Sequence, residues 1–164
     1  MPVNTFSRFA ALLALAALAT GLIALARPRT MSALGFRNGV GLAALVAGVA
    51  TAGSLIYSGY YLFEPCRLCW YQRIAMYPLV VTLAIGWLRS DRNVLRYAIA
   101  PAAIGAGISI WHLATQWIVT GATCDVGASC AIRYVTEFGF VTIPFMALSG
   151  FVAIVGLLYA VRNQ

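Results

Sequence analysis

The chain has 164 residues, 62% of them hydrophobic and 9% charged, with a mean hydropathy of +0.88. No ordinary water-soluble domain has this composition, so its solvent must be lipid. A formal net charge of +7 would raise nucleic-acid binding in a soluble protein, but the placement of the charges argues for membrane orientation and against nucleic acid as a partner.

A helix crossing a bilayer needs about 20 mostly apolar residues. In chain order, five uncharged stretches qualify or nearly do: residues 9–26, 38–63, 74–88, 97–124 and 138–161. The third reaches full length by including residues 70–73. Backbone groups in hydrocarbon must be satisfied within their own segment, and runs this long suit helices, whereas barrel strands alternate over shorter stretches. The expected fold is an all-α integral membrane protein: a four-helix transmembrane bundle with an additional N-terminal helix. Residues 1–37 would hold that extra transmembrane or interfacial helix, and residues 38–164 the four-helix domain.

All 11 basic residues are arginines. Arg27, Arg29 and Arg37 lie between the first two spans, Arg89, Arg92 and Arg96 between the third and fourth, and Arg162 after the last. The positive-inside rule makes these ends cytoplasmic. The opposite ends carry Glu64, Asp125 and Glu137, three of the four acidic residues, against Arg8, Arg67 and Arg133, together with all four cysteines. Arg8 before an apolar run could mark a signal peptide, but cleavage would reverse the charge bias of every later loop, so a retained helix with its amino terminus outside is expected. Pro144 is expected to bend the last span.

The cysteines form two pairs, Cys66 with Cys69 and Cys124 with Cys130, on the side where disulfides are permitted. Structural staples are the bland alternative. A C-x-x-C bridge, however, closes so short a loop that it removes little unfolded-state entropy. Pro65 favours a helix start, which would put Cys66 and Cys69 where unpaired N–H groups and the helix dipole favour a thiolate. Arg73, four residues after Cys69, would share its face. Zinc is disfavoured because no histidine is near in sequence and a cation stands beside the thiols, so no metal is expected. The second pair lies in the loop 121–137, where Gly121, Gly127 and Ser129 allow movement and a reduced partner protein could enter by thiol-disulfide exchange.

Electrons arriving at Cys66 and Cys69 need an acceptor. The chain has no nucleotide fingerprint, no C-x-x-C-H haem motif and no iron–sulfur cysteine cluster. A membrane quinone is the economical choice, with Arg73 stabilising negative charge on a ring oxygen. His112, the sole histidine, lies within the fourth span and could face that quinone or join helices by a hydrogen bond. Trp70, Tyr71, Tyr77, Trp111 and Trp117 read as interfacial or packing aromatics.

The run EPCRLCWYQRIAMYP at residues 64–78, a later cysteine pair in an outer loop, and GFVTIPF at residues 139–145 closely resemble the disulfide bond formation protein B (DsbB) family, especially its shorter BdbC-like thiol-disulfide oxidoreductases. The resemblance implies a quinone-dependent thiol oxidase of the bacterial plasma membrane, using ubiquinone or menaquinone, with its cysteine loops outside. It implies that Cys69 reacts with quinone, that Cys66 is its disulfide partner, and that Arg73 supports the quinone complex. Cys124 would be attacked by a DsbA-like thioredoxin-fold partner, and Cys130 would pair transiently with Cys66; His112 matches a quinone-proximal histidine of some members approximately. Gln72 departs from a common Glu, the second pair is closely spaced, and the first span has no counterpart in the usual four-helix core. A stapled membrane scaffold and a reductase like the vitamin K epoxide reductases are the competing readings; in the latter family the loop cysteines precede the C-x-x-C.

Overall fold

The structure, a computed structural model, describes residues 2–29, 33, 35–118 and 129–162. These residues form five long helices: α1 (Val3–Ala26), α2 (Phe36–Gly59), α3 (Arg67–Arg89), α4 (Val94–Ile118) and α5 (Ile143–Val161). All five are long and apolar enough to cross a membrane, as expected from the need to satisfy every backbone group inside the segment. Among the described residues there is no strand, only an isolated bridge between Glu137 and Val141.

Several helices begin a few residues before their apolar runs, and two fall short of them at the cysteine-bearing end. The second run extends to Phe63, but α2 stops at Gly59; Leu62 takes a left-handed backbone (φ 55°), and the Phe63 N–H turns back onto the Tyr57 carbonyl at 3.0 Å. The fifth run begins at Phe138, but Phe138 (φ 53°) and Gly139 (φ 80°) form a tight turn closed by paired Glu137 and Val141 backbones. Helix α5 therefore starts at Ile143, with Pro144 in its first turn. There Pro144 displaces no intrahelical bond, so it initiates the helix and does not bend it.

Helices α2, α3, α4 and α5 pack in a ring, each against the next and α5 back against α2, while α1 lies outside the ring along α5. The core is built from Val40, Ala43 and Ala47 of α2, Leu79 and Leu83 of α3, Ala98 and Ala102 of α4, and Phe151, Ile154 and Leu158 of α5. Lipid tails are as apolar as leucine, so close packing has to hold membrane helices together. A Cβ on Gly21 of α1 would lie 2.7 Å from the Ala153 backbone, and one on Gly156 would strike the Gly21 carbonyl. Gly105 of α4 likewise admits the ring of fully buried Phe151. At the cysteine-bearing end α1 is held again, by the Tyr57 hydroxyl donating to Ser7 Oγ at 3.3 Å and by Arg8 pairing with Glu137 at 3.6 Å.

Replacing Gly21 with leucine should lower the melting temperature in detergent, because backbone cannot yield as a flexible side chain does; overpacking of this kind costs about 1–3 kcal/mol. A Cβ at Gly107 meets nothing within 4 Å, so Gly107→Ala should melt close to wild type. Equal melting of Gly21→Leu and Gly107→Ala would contradict the crossing.

Candidate active site

Pro65 precedes a helix start at which Cys66 is the N-cap, in extended backbone (φ −70°, ψ 172°), and Cys69 lies in the first turn of α3. The Cys66 carbonyl accepts the Trp70 N–H at 3.1 Å. Cys66 and Cys69 are thiols whose sulfurs stand 3.6 Å apart, with Cys66 donating. Cys66 therefore holds the proton of the pair, and that hydrogen bond, followed by burial, pushes its pKa up to about 11.

One turn further along α3, Arg73 donates from Nε to Ser54 Oγ at 3.0 Å and from Nη2 to the Ser54 carbonyl at 3.1 Å. Its guanidinium also lies 5.4 Å from the Trp70 ring centroid. These contacts tie the cation to α2 and keep it at the wall of the site. Gln72, buried on the other side of α3, donates to Ser109 Oγ at 2.9 Å, and Ser109 donates to the Gly105 carbonyl at 2.8 Å. A neutral amide thus joins α3 to α4 without a buried charge.

His112 is 2% exposed. Its Nε2 lies 3.7 Å from Cys66 Sγ and 3.2 Å from the Cys130 carbonyl, so it sits at the junction of the two cysteine loops. No histidine is near the thiols in sequence, yet the fold brings one to them: the ligand atoms of Cys66, Cys69 and His112 lie within 4.8 Å of one another. Helix α4 carries the histidine in from 43 residues after Cys69, a proximity that sequence spacing does not reveal.

The loop bearing Cys130 is held from several sides. Arg133 donates to the Gln116 carbonyl at 2.6 Å and lies 4.0 Å from the Trp117 ring centroid. Gln116 donates back to the Ile132 carbonyl at 3.2 Å. Tyr134 stacks on Phe63 with centroids 4.8 Å apart, clamping the loop to the segment just before Cys66. Cys130 comes within hydrogen-bonding reach of Cys66, and burial, followed by this contact, raises its pKa to about 11. Close spacing of the second pair therefore does not keep Cys130 from Cys66. Cys124, expected to meet the partner, lies outside the described residues.

Behind the thiols opens a cavity of about 500 Å³, bounded by α1, α2, α3 and α5 and reached by Cys66, Cys69, Arg73, His112 and Cys130. That is an ordinary volume for a small-molecule site. Tyr77 also lines it, and the Tyr77 hydroxyl is buried with no hydrogen-bond partner among the described residues. Cys69, Arg73 and Tyr77 recur every fourth residue and so form one stripe along α3. Reading Tyr77 as a packing aromatic missed this; the four-residue spacing from Arg73 was the available signal. Trp70, Tyr71, Trp111 and Trp117 are half or more exposed on the outside of the bundle, as surface aromatics of a membrane protein are.

The family model for "Disulfide bond formation protein DsbB" matches residues 36–161. "Probable disulfide formation protein C 2" of Bacillus anthracis is 45% identical over 122 residues, covering 73% of this chain and 87% of that relative. "Probable disulfide formation protein C 1" of Bacillus cereus is 48% identical over 110 residues, covering 65% and 78%. "Disulfide bond formation protein C" of Bacillus subtilis is 46% identical over 123 residues, covering 73% and 89%. No solved structure matches significantly. With its five apolar helices and its paired cysteines, the chain belongs to the DsbB family and is a multi-pass membrane protein of disulfide-bond formation.

Proposed function

We propose that this protein is a quinone-dependent thiol oxidase that reoxidises a DsbA-like thioredoxin-fold partner outside the cytoplasm. The observation that carries the reading is the cavity lined by the stripe Cys69, Arg73 and Tyr77. A thiol, a held cation and an unpartnered hydroxyl face an apolar space, which suits a ring with two oxygens and an apolar body. A bound quinone supplies a two-electron acceptor that becomes a quinol. Residues 38–164 form the redox core in this reading, and residues 1–37 an element added to it.

The partner's two thiols lose two electrons and two protons to a Cys124–Cys130 disulfide, which opens to two thiols. Cys130 then exchanges with the Cys66–Cys69 disulfide through a Cys66–Cys130 bond, a step supported by the hydrogen-bonding reach between the Cys66 and Cys130 sulfurs. Closing Cys124–Cys130 again leaves Cys66 and Cys69 reduced; a quinone held beside Cys69 and Arg73 would take up their two electrons and two protons as the Cys66–Cys69 disulfide re-forms. His112, between Cys66 and the Cys130 backbone, is placed to move a proton as these sulfurs change partners. Arg73 stabilises negative charge as it develops on a ring oxygen, and Ser54 holds Arg73 in position. Seven arginines near the opposite helix ends, against four (Arg8, Arg67, Arg73 and Arg133) that share the cysteine-bearing end with Glu64 and Glu137, support a plasma-membrane orientation with both cysteine loops outside.

Purified protein mixed with a reduced thioredoxin-like client and a short-chain quinone should consume quinone in step with client thiols, and Cys69→Ser should abolish this. Client oxidation without quinone consumption, or full activity in both Cys66→Ser and Cys69→Ser, would overturn the proposal. Ser54→Ala removes one of the two anchors of Arg73 and should slow quinone reduction about five- to tenfold, the equivalent of one ordinary hydrogen bond. Client exchange with the loop cysteines should change less than quinone reduction in that variant.

The protonated Cys66 thiol also sets a pH dependence. Its pKa rises from 9.0 to about 11 on folding, so the folded state favours the proton. The stability this contributes is full below pH 9 and is lost as pH climbs toward 11. The reduced protein should therefore melt at progressively lower temperature over that window, and Cys66→Ala should reduce the slope to what Cys130, likewise raised to about 11, still contributes. Alkylation of Cys66 followed by mass spectrometry should accelerate over the same range.

A further inference from the structure

At the end of the bundle away from the cysteines, a second cavity of about 620 Å³ opens where the start of α2, the first turns of α4 and the end of α5 come together. Three arginines line it. Arg92 lies in the turn leading into α4, Arg96 stands about one turn further on, and Arg162 directly follows α5. The Arg92 guanidinium lies 5.7 Å from the Phe36 ring centroid of α2, and that of Arg162 lies 5.3 Å from the Tyr159 ring centroid. Asp91 is the only acidic residue at this end of the chain's helices, and its carboxylate accepts the Asn93 N–H at 2.9 Å. Membrane orientation requires arginines somewhere in these connections, but it does not require three of them to converge on one cavity. Like charges so placed repel one another, and an anion between them relieves that cost.

The lining changes character along α4. Arg96 and Ala100 share one face of the helix, and Leu95 and Ile99 run beside them. From Arg96 to Ala100 is one turn, about 6 Å deeper into the apolar span. With Phe36 and Val161, these side chains give the cavity an apolar floor beneath its charged rim, and Ala100 is exposed, so that floor opens toward the surrounding lipid. A soluble phosphate would use the rim alone. An acidic lipid uses both parts, with its phosphate among the guanidinium groups and the first methylenes of its acyl chains along the floor.

We infer that this cavity is a binding site for one anionic phospholipid, whose phosphate is held by Arg92, Arg96 and Arg162. The site involves no redox chemistry and stands apart from the oxidase reading. A lipid seated there bridges the start of α4 to the end of α5, with its chain against Phe36 of α2, and so joins three helices at the end that the cysteine loops do not hold.

The test is native mass spectrometry of the full-length protein in detergent, titrated with dioleoyl phosphatidylglycerol or dioleoyl phosphatidylcholine. Phosphatidylglycerol should bind as a single retained copy, at least about tenfold more tightly than phosphatidylcholine. Arg92→Gln, Arg96→Gln and Arg162→Gln should each weaken it about fivefold, the worth of one basic side chain near an acidic lipid. Arg89→Gln removes an arginine of the same end that does not line the cavity and should leave binding unchanged. All four side chains are exposed, so the variants should melt like wild type in lipid-free detergent. Equal losses in all four variants would reveal diffuse surface attraction and overturn the inference, as would equal binding of the two lipids. Displacement of the lipid by an equal concentration of glycerol phosphate would overturn it in favour of a soluble phosphate, because the apolar floor would then contribute nothing.

Discussion

Close approach of helix backbones at α5 is the constraint on which the rest of the structure depends. Lipid offers helices no hydrophobic reason to associate, so contact has to come from shape. Helix α5 is the element built for it: 56% of its central apolar window is buried, against 22% for α1 and for α2. Gly156 and Ala153 receive α1 at Gly21 on one side. On another side Phe151 inserts into the space left by Gly105 of α4. Because α5 fixes α1, α2 and α4 together, it also determines which side chains share the cavity behind the thiols.

At the cysteine-bearing end a second constraint acts. The first turn of a helix leaves its N–H groups without intrahelical partners, and Cys66 and Cys69 occupy the start of α3. Side chains outside the cysteine pairs hold this end together: Phe63 on Tyr134 joins the two loops, while Arg133 on Trp117 and Gln116 on the Ile132 carbonyl tie the Cys130 loop to α4. These contacts hold Cys130 beside Cys66, and His112 spans the junction. The chemistry of the sulfurs is thus prepared by ordinary packing and hydrogen bonding, and the cation at Arg73 is held by the same means.

The added helix connects these two levels. It has no titratable group within its apolar stretch, and its alanines and leucines carry no chemistry of their own. By leaning on α5 and standing apart from α2 over most of its length, it nevertheless turns one side of the bundle into a groove. Arg8 and Ser7 anchor it at the cysteine-bearing end, and Gly21 near the other. An element silent in sequence can therefore shape a site through where it sits.

Much of the protein was legible in its sequence, for local reasons. Apolar runs of bilayer length determine five helices because hydrocarbon cannot satisfy a broken backbone. Proline before C-x-x-C determines a helix start, and a four-residue spacing puts Cys69, Arg73 and Tyr77 on one face. Helix ends at Gly59 and Ile143 were less visible, since hydropathy continues through Phe63 and Phe138 while the backbone turns at Leu62, Phe138 and Gly139. What only the tertiary structure decided depends on distance in space: His112 against Cys66, Cys130 beside the first pair, Ser54 holding Arg73, and α1 walling the cavity. Periodicity assigns each residue to a face of its own helix, but the crossing of one helix on another is set by small residues meeting across hundreds of atoms, which no local pattern encodes.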